Sequence, residues 1–224
     1  MYDDLQLEHS STVDRAVDAL RRALFAGQLA PGTPLREVAL SDAMEVGRST
    51  IREALALLVA EGLAVRVPNK GVAVKELTAA DVRDVILARA TLETAGVRRW
   101  ESASDDQRQQ VHDSLREYAE LARPGVDPGT LTEAHLRIHG ALVGLTGSQR
   151  LLGAAEALSS EIRLGLAHLD RTRGNLAEQV TEHRDLVALL ESGDLTAATQ
   201  RLDDHLFAAE QSLLQATGHG QAGA

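Results

Sequence analysis

Two histidines four residues apart, His135 and His139, open and close the stretch HLRIH. On a helix that spacing stacks both imidazoles on one face, a turn apart, where they can share a cation. His183 and His205 lie in later stretches with the same helical patterning. Each falls at an apolar position. Leu131, His135, Ile138, His139 and Leu142 make one stripe, Val180, His183, Val187 and Leu190 a second, and Leu202, His205, Leu206 and Ala209 a third. Four imidazoles thus point inward from three helices, and burying them without partners is expensive. A divalent metal would satisfy all four and tie the helices together. A hydrogen-bonded polar core is the competing solution. The other four histidines stand apart: His9 and His219 are near the termini, and His112 and His168 lie beside their stripes.

A second inward charge accompanies them. Val82, Val85, Ile86, Arg89, Leu92 and Gly96 repeat at helical spacing, with Arg89 inside the stripe and Glu93 one turn on. A buried guanidinium requires an anion. Glu93 can supply it within the helix, or the carboxylate of a small molecule can, gripped bidentately.

The segments that must position these groups read as six helices, about 78–101, 105–122, 130–146, 149–170, 175–192 and 194–216. Their breaks are chemically sensible: ARPGVDPGT is a loop, Gly147 ends one helix before Ser148 caps the next, and Gly193 and Asp194 repeat that arrangement. No strand signal appears after residue 75. Residues 1–10 and 217–224 are expected to be disordered.

The first part of the chain has a different grammar. Val13, Val17, Leu20 and Leu24 mark a helix that AGQLAPGTPL ends, and 36–44 is a short second helix. Ile51, Leu55, Leu58 and Val59 mark a third, stopped by Gly62. Val65, Val67, Val72 and Val74 then alternate around Pro68-Asn69-Lys70-Gly71, the pattern of a two-strand hairpin. Three helices and a hairpin, over 11–75, are the order of a winged helix-turn-helix.

Arg48 and Arg52 project from one face at the start of the third helix, opposite its apolar stripe. There they can read guanine in a major groove or hold phosphates, with Ser49 and Thr50 adding hydroxyls. Lys70 and Gly71 at the hairpin tip can reach adjacent backbone. The plainer alternative is two solvated arginines, with Arg52 paired to a nearby glutamate.

Composition limits the remaining possibilities. With 44% apolar residues the chain is globular, and with only 2% aromatics its core rests on Leu, Val, Ile and Ala, which favour helix. There is no cysteine, which excludes disulfides and thiolate zinc sites and fits a reducing cytosol. No apolar run approaches the roughly 18 residues that would span a bilayer. Of the net charge of −10, residues 1–75 carry nine Lys/Arg against ten Asp/Glu, whereas 76–224 carry fourteen against twenty-three. The second part repels polyanions, and any nucleic-acid contact must come from a local patch in the first. For an enzyme there is little: His112-Asp113 lacks a second placed aspartate, and no Ser–His or phosphate-loop motif appears.

The stretch LREVALSDAMEVGRSTIREALALLVAEGLAVRVPNKGVAV resembles the DNA-binding domain of GntR-type bacterial transcription regulators. The resemblance implies that Arg48 and Arg52 read an operator, helped by Arg36 and by Lys70-Gly71. Gly47 stands where that family usually has a helix-capping serine. HLRIHGALVGLTGSQRLL, EHRDLVALLESGDLTAA and DDHLFAAE resemble the helical FCD effector domain of the FadR subfamily, over about 78–214. Metal-containing members use an aspartate and three histidines. The three match His139, His183 and His205, and the aspartate position is His135 here. The expectation is a mainly α, two-domain, cytoplasmic homodimer. Its winged helix would bind double-stranded operator DNA. Its bundle would hold Zn²⁺ or Ni²⁺ and a small carboxylate effector that also meets Arg89 and shifts the arrangement of the two domains.

Overall fold

The computed structural model describes residues 11–166 and 176–217. The chain divides between Glu76 and Leu77 into two compact units. Expectations for residues 1–10, 167–175 and 218–224 fall outside the described residues.

The first unit begins with α1, Thr12–Phe25. Ser11 and Asp14 form a reciprocal capping box at its start, satisfying two backbone N–H groups that a helix otherwise leaves open. The short helix α2, Glu37–Met44, buries none of its residues. It turns into α3, Arg48–Ala60, through Glu45 in the left-handed region (φ 53°). Ile51, Ala54, Leu55 and Leu58 of α3 are buried against α1, whose Val17, Leu20 and Leu24 complete the core. Strands β1, Ala64–Val67, and β2, Gly71–Val74, pair antiparallel with Val67 opposite Gly71. Asn69 and Gly71, both at positive φ, turn the chain between them. An isolated bridge from Pro34 to Ala73 ties the hairpin back to the segment before α2.

The second unit is helical throughout its described residues: α4 Ala79–Val97, α5 Asp105–Leu121, α6 Pro128–Gly144, α7 Gln149–Leu166, α8 Leu176–Glu191 and α9 Leu195–Ala216. None of the described helices is long and apolar enough to cross a membrane. Central helix α4 packs on α6, α7 and α9, while α5 lies against α6 and α8. Thr78 with Asp81 and Ser104 with Gln107 cap α4 and α5 by the same reciprocal device as α1. Helix α4 ends four residues short of the expected 101. A single 3-10 turn, Trp100–Ser102, follows and buries the indole.

The crossing of α4 over α6 is unusually close. A Cβ added at Gly96 would lie 1.8 Å from the Leu142 carbonyl oxygen and 3.3 Å from the Val143 Cα. Backbone meets backbone there, one turn from Glu93 on α4 and from His139 on α6. Gly96→Ala is therefore expected to push the helices apart and lower stability by about 3 kcal/mol, the upper range for overpacking. Gly153→Ala on α7, with open space around it, is the control and should gain about 0.5–1 kcal/mol of helix propensity. Thermal melts followed by circular dichroism compare the two; equal melting temperatures would contradict the close-contact account.

Candidate functional site

On the first unit, Arg48 occupies the first position of α3 and Arg52 follows one turn later, both exposed and opposite the buried Ile51 and Leu55. Gly47 is the cap of that helix and makes no side-chain bond. Ser49 is exposed and Thr50 half-buried beside it. Arg36 is exposed as the cap residue of α2, and Lys70 and Gly71 are exposed at the hairpin tip. Arg52 reaches across to α2, its Nη2 3.0 Å from Glu37 Oε2. The pairing with a neighbouring glutamate therefore exists, on an open face. Hydrogen bonding to Arg52, with Arg48 and Arg66 nearby, holds the Glu37 carboxyl below the usual carboxylate range. Arg66, exposed on β1, was not singled out from the sequence. Only the fold brings a hairpin residue near the start of α2.

On the second unit, the four inward histidines meet. His135 and His139 come from α6, His183 from α8 and His205 from α9, and one nitrogen of each lies within 4.8 Å of all the others. The Nε2 atoms of His135, His139 and His183 form a near-equilateral triangle with sides of 3.2, 3.2 and 3.3 Å. Nitrogens bound tetrahedrally at about 2.0–2.1 Å from a zinc ion are about 3.3–3.4 Å apart, so the triangle already has the size of one face of such a site. His205 Nε2 is buried with no hydrogen-bond partner among the described residues.

The outer ring nitrogens explain why the inner ones are bare. His183 Nδ1 lies 2.7 Å from the Gln179 carbonyl oxygen. A carbonyl only accepts, so the proton is on Nδ1. His205 Nδ1 lies 3.1 Å from Glu182 Oε2, and that bond holds the Glu182 carboxyl below its ordinary range, ionised and accepting. His139 Nδ1 lies 2.8 Å from Glu93 Oε2. Burial lowers the proton affinity of His135 and His139 well below the usual imidazole range, and burial together with His205 lowers His183 to about 4. At neutral pH these three rings are uncharged. A neutral ring that donates from Nδ1 presents a lone pair at Nε2. Two such lone pairs, on His139 and His183, face a point that His135 Nε2 and His205 Nε2 also face, an arrangement of ring nitrogens that could hold a cation.

Tyr118 closes one side. It is buried, stacks on His135 with centroids 5.2 Å apart, and donates its hydroxyl to Gln179 Oε1 at 2.9 Å. Gln179 thus holds Tyr118 with its side chain and His183 with its backbone. On the other side, Glu93 is 2% exposed, whereas the sequence stripe favoured Leu92, which is only half-buried. Burial pushes the Glu93 carboxyl up, and the Arg89 guanidinium opposes that push. Arg89 Nε donates to Glu93 Oε1 at 2.7 Å, while its Nη2 is buried and unbonded among the described residues. Both readings of Arg89 are thereby half met: it has its internal anion and a spare donor. A chamber of about 10 Å³, room for one water, is lined by Arg89, Glu93, His139 and Ser159. Gly140 and Ser159 also line an outer cleft of about 550 Å³ between α5, α6 and α7. Arg137 and Arg163 in that cleft are both paired to Glu133.

Comparison with known proteins agrees with this division. Residues 12–74 match the family described as "Bacterial regulatory proteins, gntR family", and residues 84–208 match the FCD domain. The chain is 27% identical over 220 residues to the "Probable D-xylose utilization operon transcriptional repressor" of Paenarthrobacter nicotinovorans, covering 97% of this chain and 94% of that one. It is 32% identical over 134 residues to the Nta operon transcriptional regulator of Aminobacter aminovorans, covering 59% and 63%. A crystal structure of a GntR transcriptional regulator from Rhodococcus sp. RHA1 superposes with a TM-score of 0.77 at 28% identity, over 92% of this chain and 99% of that one. The helix-turn-helix with its exposed arginines, joined to a helical bundle built around four histidines, belongs to the GntR family in its FCD-bearing form, and the chain is a DNA-binding transcription regulator rather than an enzyme.

Proposed function

We propose that the helical unit is a metal-dependent sensor of a small organic acid and that acid binding sets the affinity of the winged helix for its operator. The observation that carries the reading is the triangle of Nε2 atoms on His135, His139 and His183. With His205 these residues would hold Zn²⁺ or Ni²⁺, borderline ions that imidazole suits. A bound dication supplies a positive anchor for a carboxylate, undiminished by any anionic ligand because His135 replaces an acid. Arg89 Nη2, orphaned beside His139, supplies a second grip. The acid would enter from the outer cleft past Gly140 and Ser159. The chamber holds only one water's volume, so binding must move side chains or α7, and that motion is the signal.

On the DNA side, Arg48 and Arg52 read base edges, with Ser49, Thr50, Arg36, Lys70 and Gly71 contacting the backbone. The protein works in the cytoplasm, where the operator is. Two copies bind two half-sites, because a single short helix reads too few base pairs for useful affinity. The Arg52–Glu37 pair is exposed and opens readily for DNA.

Three outcomes follow. Arg52→Ala should weaken binding to operator duplex, selected from random DNA with the parent protein, by about 1–3 kcal/mol per recognition helix, with an unchanged circular dichroism spectrum; an unaltered gel shift would contradict the assignment. His183→Ala should lose bound metal in elemental analysis of protein purified without added metal, and should lose the metal-induced rise in melting temperature. Parent-like values for both would count against the site. The third concerns pH in metal-free protein. His183 binds its proton less readily folded, at about 4, than an ordinary imidazole at 6.5. The unfolded chain therefore holds more protons between those limits, and stability falls as pH drops through that window. His135 and His139 act in the same direction. Urea midpoints that stay flat from pH 6.5 to 4.5 would show that the rings are not buried neutral.

A further inference from the structure

Among the described residues, Glu93 is the one carboxylate that touches both halves of the proposed sensor. Its Oε1 accepts from Arg89 Nε at 2.7 Å and its Oε2 faces His139 Nδ1 at 2.8 Å. All three side chains are buried, Arg89 at 7% side-chain exposure, Glu93 at 2% and His139 at 3%. Protonating Glu93 would leave a buried guanidinium without a counter-charge, so the ionised form is the one that fits. An ionised carboxylate only accepts. His139 must then donate from Nδ1, which leaves its Nε2 as a lone pair aimed at His135 and His183, 3.2 and 3.3 Å away.

We infer that Glu93 is a positioning residue that selects the metal-binding tautomer of His139 and, by holding Arg89 through Nε alone, keeps Nη2 available to an acid. It thereby links the two ligands. An acid that draws Arg89 toward itself loosens the grip on Glu93, and Glu93 in turn sets how firmly His139 offers its lone pair. The inference rests on the metal-sensor reading above, but its first consequence, the tautomer, concerns metal-free protein.

The distinguishing variant is Glu93→Gln. The amide has nearly the shape of the carboxylate, so a merely structural role predicts little change. The chemistry predicts otherwise. Arg89 can only donate, so the amide oxygen must face it and the amide NH₂ must face His139 Nδ1. That nitrogen then becomes the acceptor, the proton moves to Nε2, and it points into the metal position. The isosteric change should hurt metal binding more than removal of both buried charges in the double variant Arg89→Met/Glu93→Ala, where His139 is free to choose its tautomer.

The test has two readouts. Nitrogen-15 imidazole spectra of metal-free protein should show the Nδ1–H tautomer for His139 in the parent and Nε2–H in Glu93→Gln. Competition titration with Zn²⁺ should show affinity at least tenfold weaker in Glu93→Gln than in the parent, in the range for lost outer-shell partners, with the double variant in between. An Nε2–H tautomer in the parent, or Glu93→Gln binding Zn²⁺ as tightly as the parent, overturns the inference. A parent that shows Nδ1–H but takes up no Zn²⁺ sinks the metal reading while supporting the role of Glu93 in choosing the tautomer. Should Glu93→Gln fail to fold, the parent spectrum and the double variant still decide: a double variant binding Zn²⁺ as tightly as the parent removes any contribution of Glu93.

Discussion

Everything in the helical unit turns on where four imidazole protons are. Three of the rings, His139, His183 and His205, have one nitrogen held by the protein and one turned to the centre. Where a neutral ring's outer nitrogen finds an acceptor, as at Glu93 and Gln179, the inner one is left as a lone pair. The two lone pairs of His139 and His183 face His135 Nε2 at 3.2 Å each, and that ring alone can donate to only one of them at a time. On the proposed reading, the choice of outer partners would favour a cation at the centre.

Backbone contact makes the choice rigid. Without the bare Gly96 backbone against Leu142, α4 could not approach α6 closely enough for Glu93 to reach His139. Tyr118 does the same work from α5, since stacking on His135 and bonding to Gln179 fix two rings at once. The apolar core of the bundle thus acts at the site through the spacing of helices, and the charged groups it encloses are oriented by neighbours that never touch the centre.

Much of this was legible in the residues, for identifiable reasons. Helical periodicity of about 3.6 residues marked His135, His139, His183 and His205 as inward, because a buried histidine interrupts an apolar stripe at a recognisable place. The hairpin was legible from valine alternation around Pro68–Gly71. Glu93 was harder. It stands beside Leu92, and a stripe counted on hydrophobicity prefers the leucine. A salt-bridged carboxylate reads as a surface residue until its partner on another helix is known. Arg66 was invisible for the same reason, since its approach to Glu37 depends on how the hairpin folds back. Gln179 acts on His183 through its backbone, and no residue type encodes that. What the sequence withheld were contacts between elements, above all those of polar groups whose burial depends on a partner far along the chain.

A site whose four candidate ligands are all imidazoles, with no carboxylate among them, has a consequence that follows from charge alone. Near the centre, Arg89 and Glu93 cancel, and the ring nitrogens are neutral. A dication there, on the reading proposed, would leave the interior with two uncompensated positive charges, apart from the half-exposed Glu182. In a site with one aspartate ligand the excess would be one. Low-dielectric surroundings make that excess costly and make its relief by an anion favourable in proportion. A ligand that brings two carboxylates, one for the metal and one for Arg89 Nη2, neutralises what a single carboxylate cannot. On the proposed reading, an all-imidazole site would favour dicarboxylic over monocarboxylic acids of similar size. The same excess charge would draw such acids into a unit that is otherwise acidic, because that attraction would act at short range inside the fold while the surface repulsion is screened by salt.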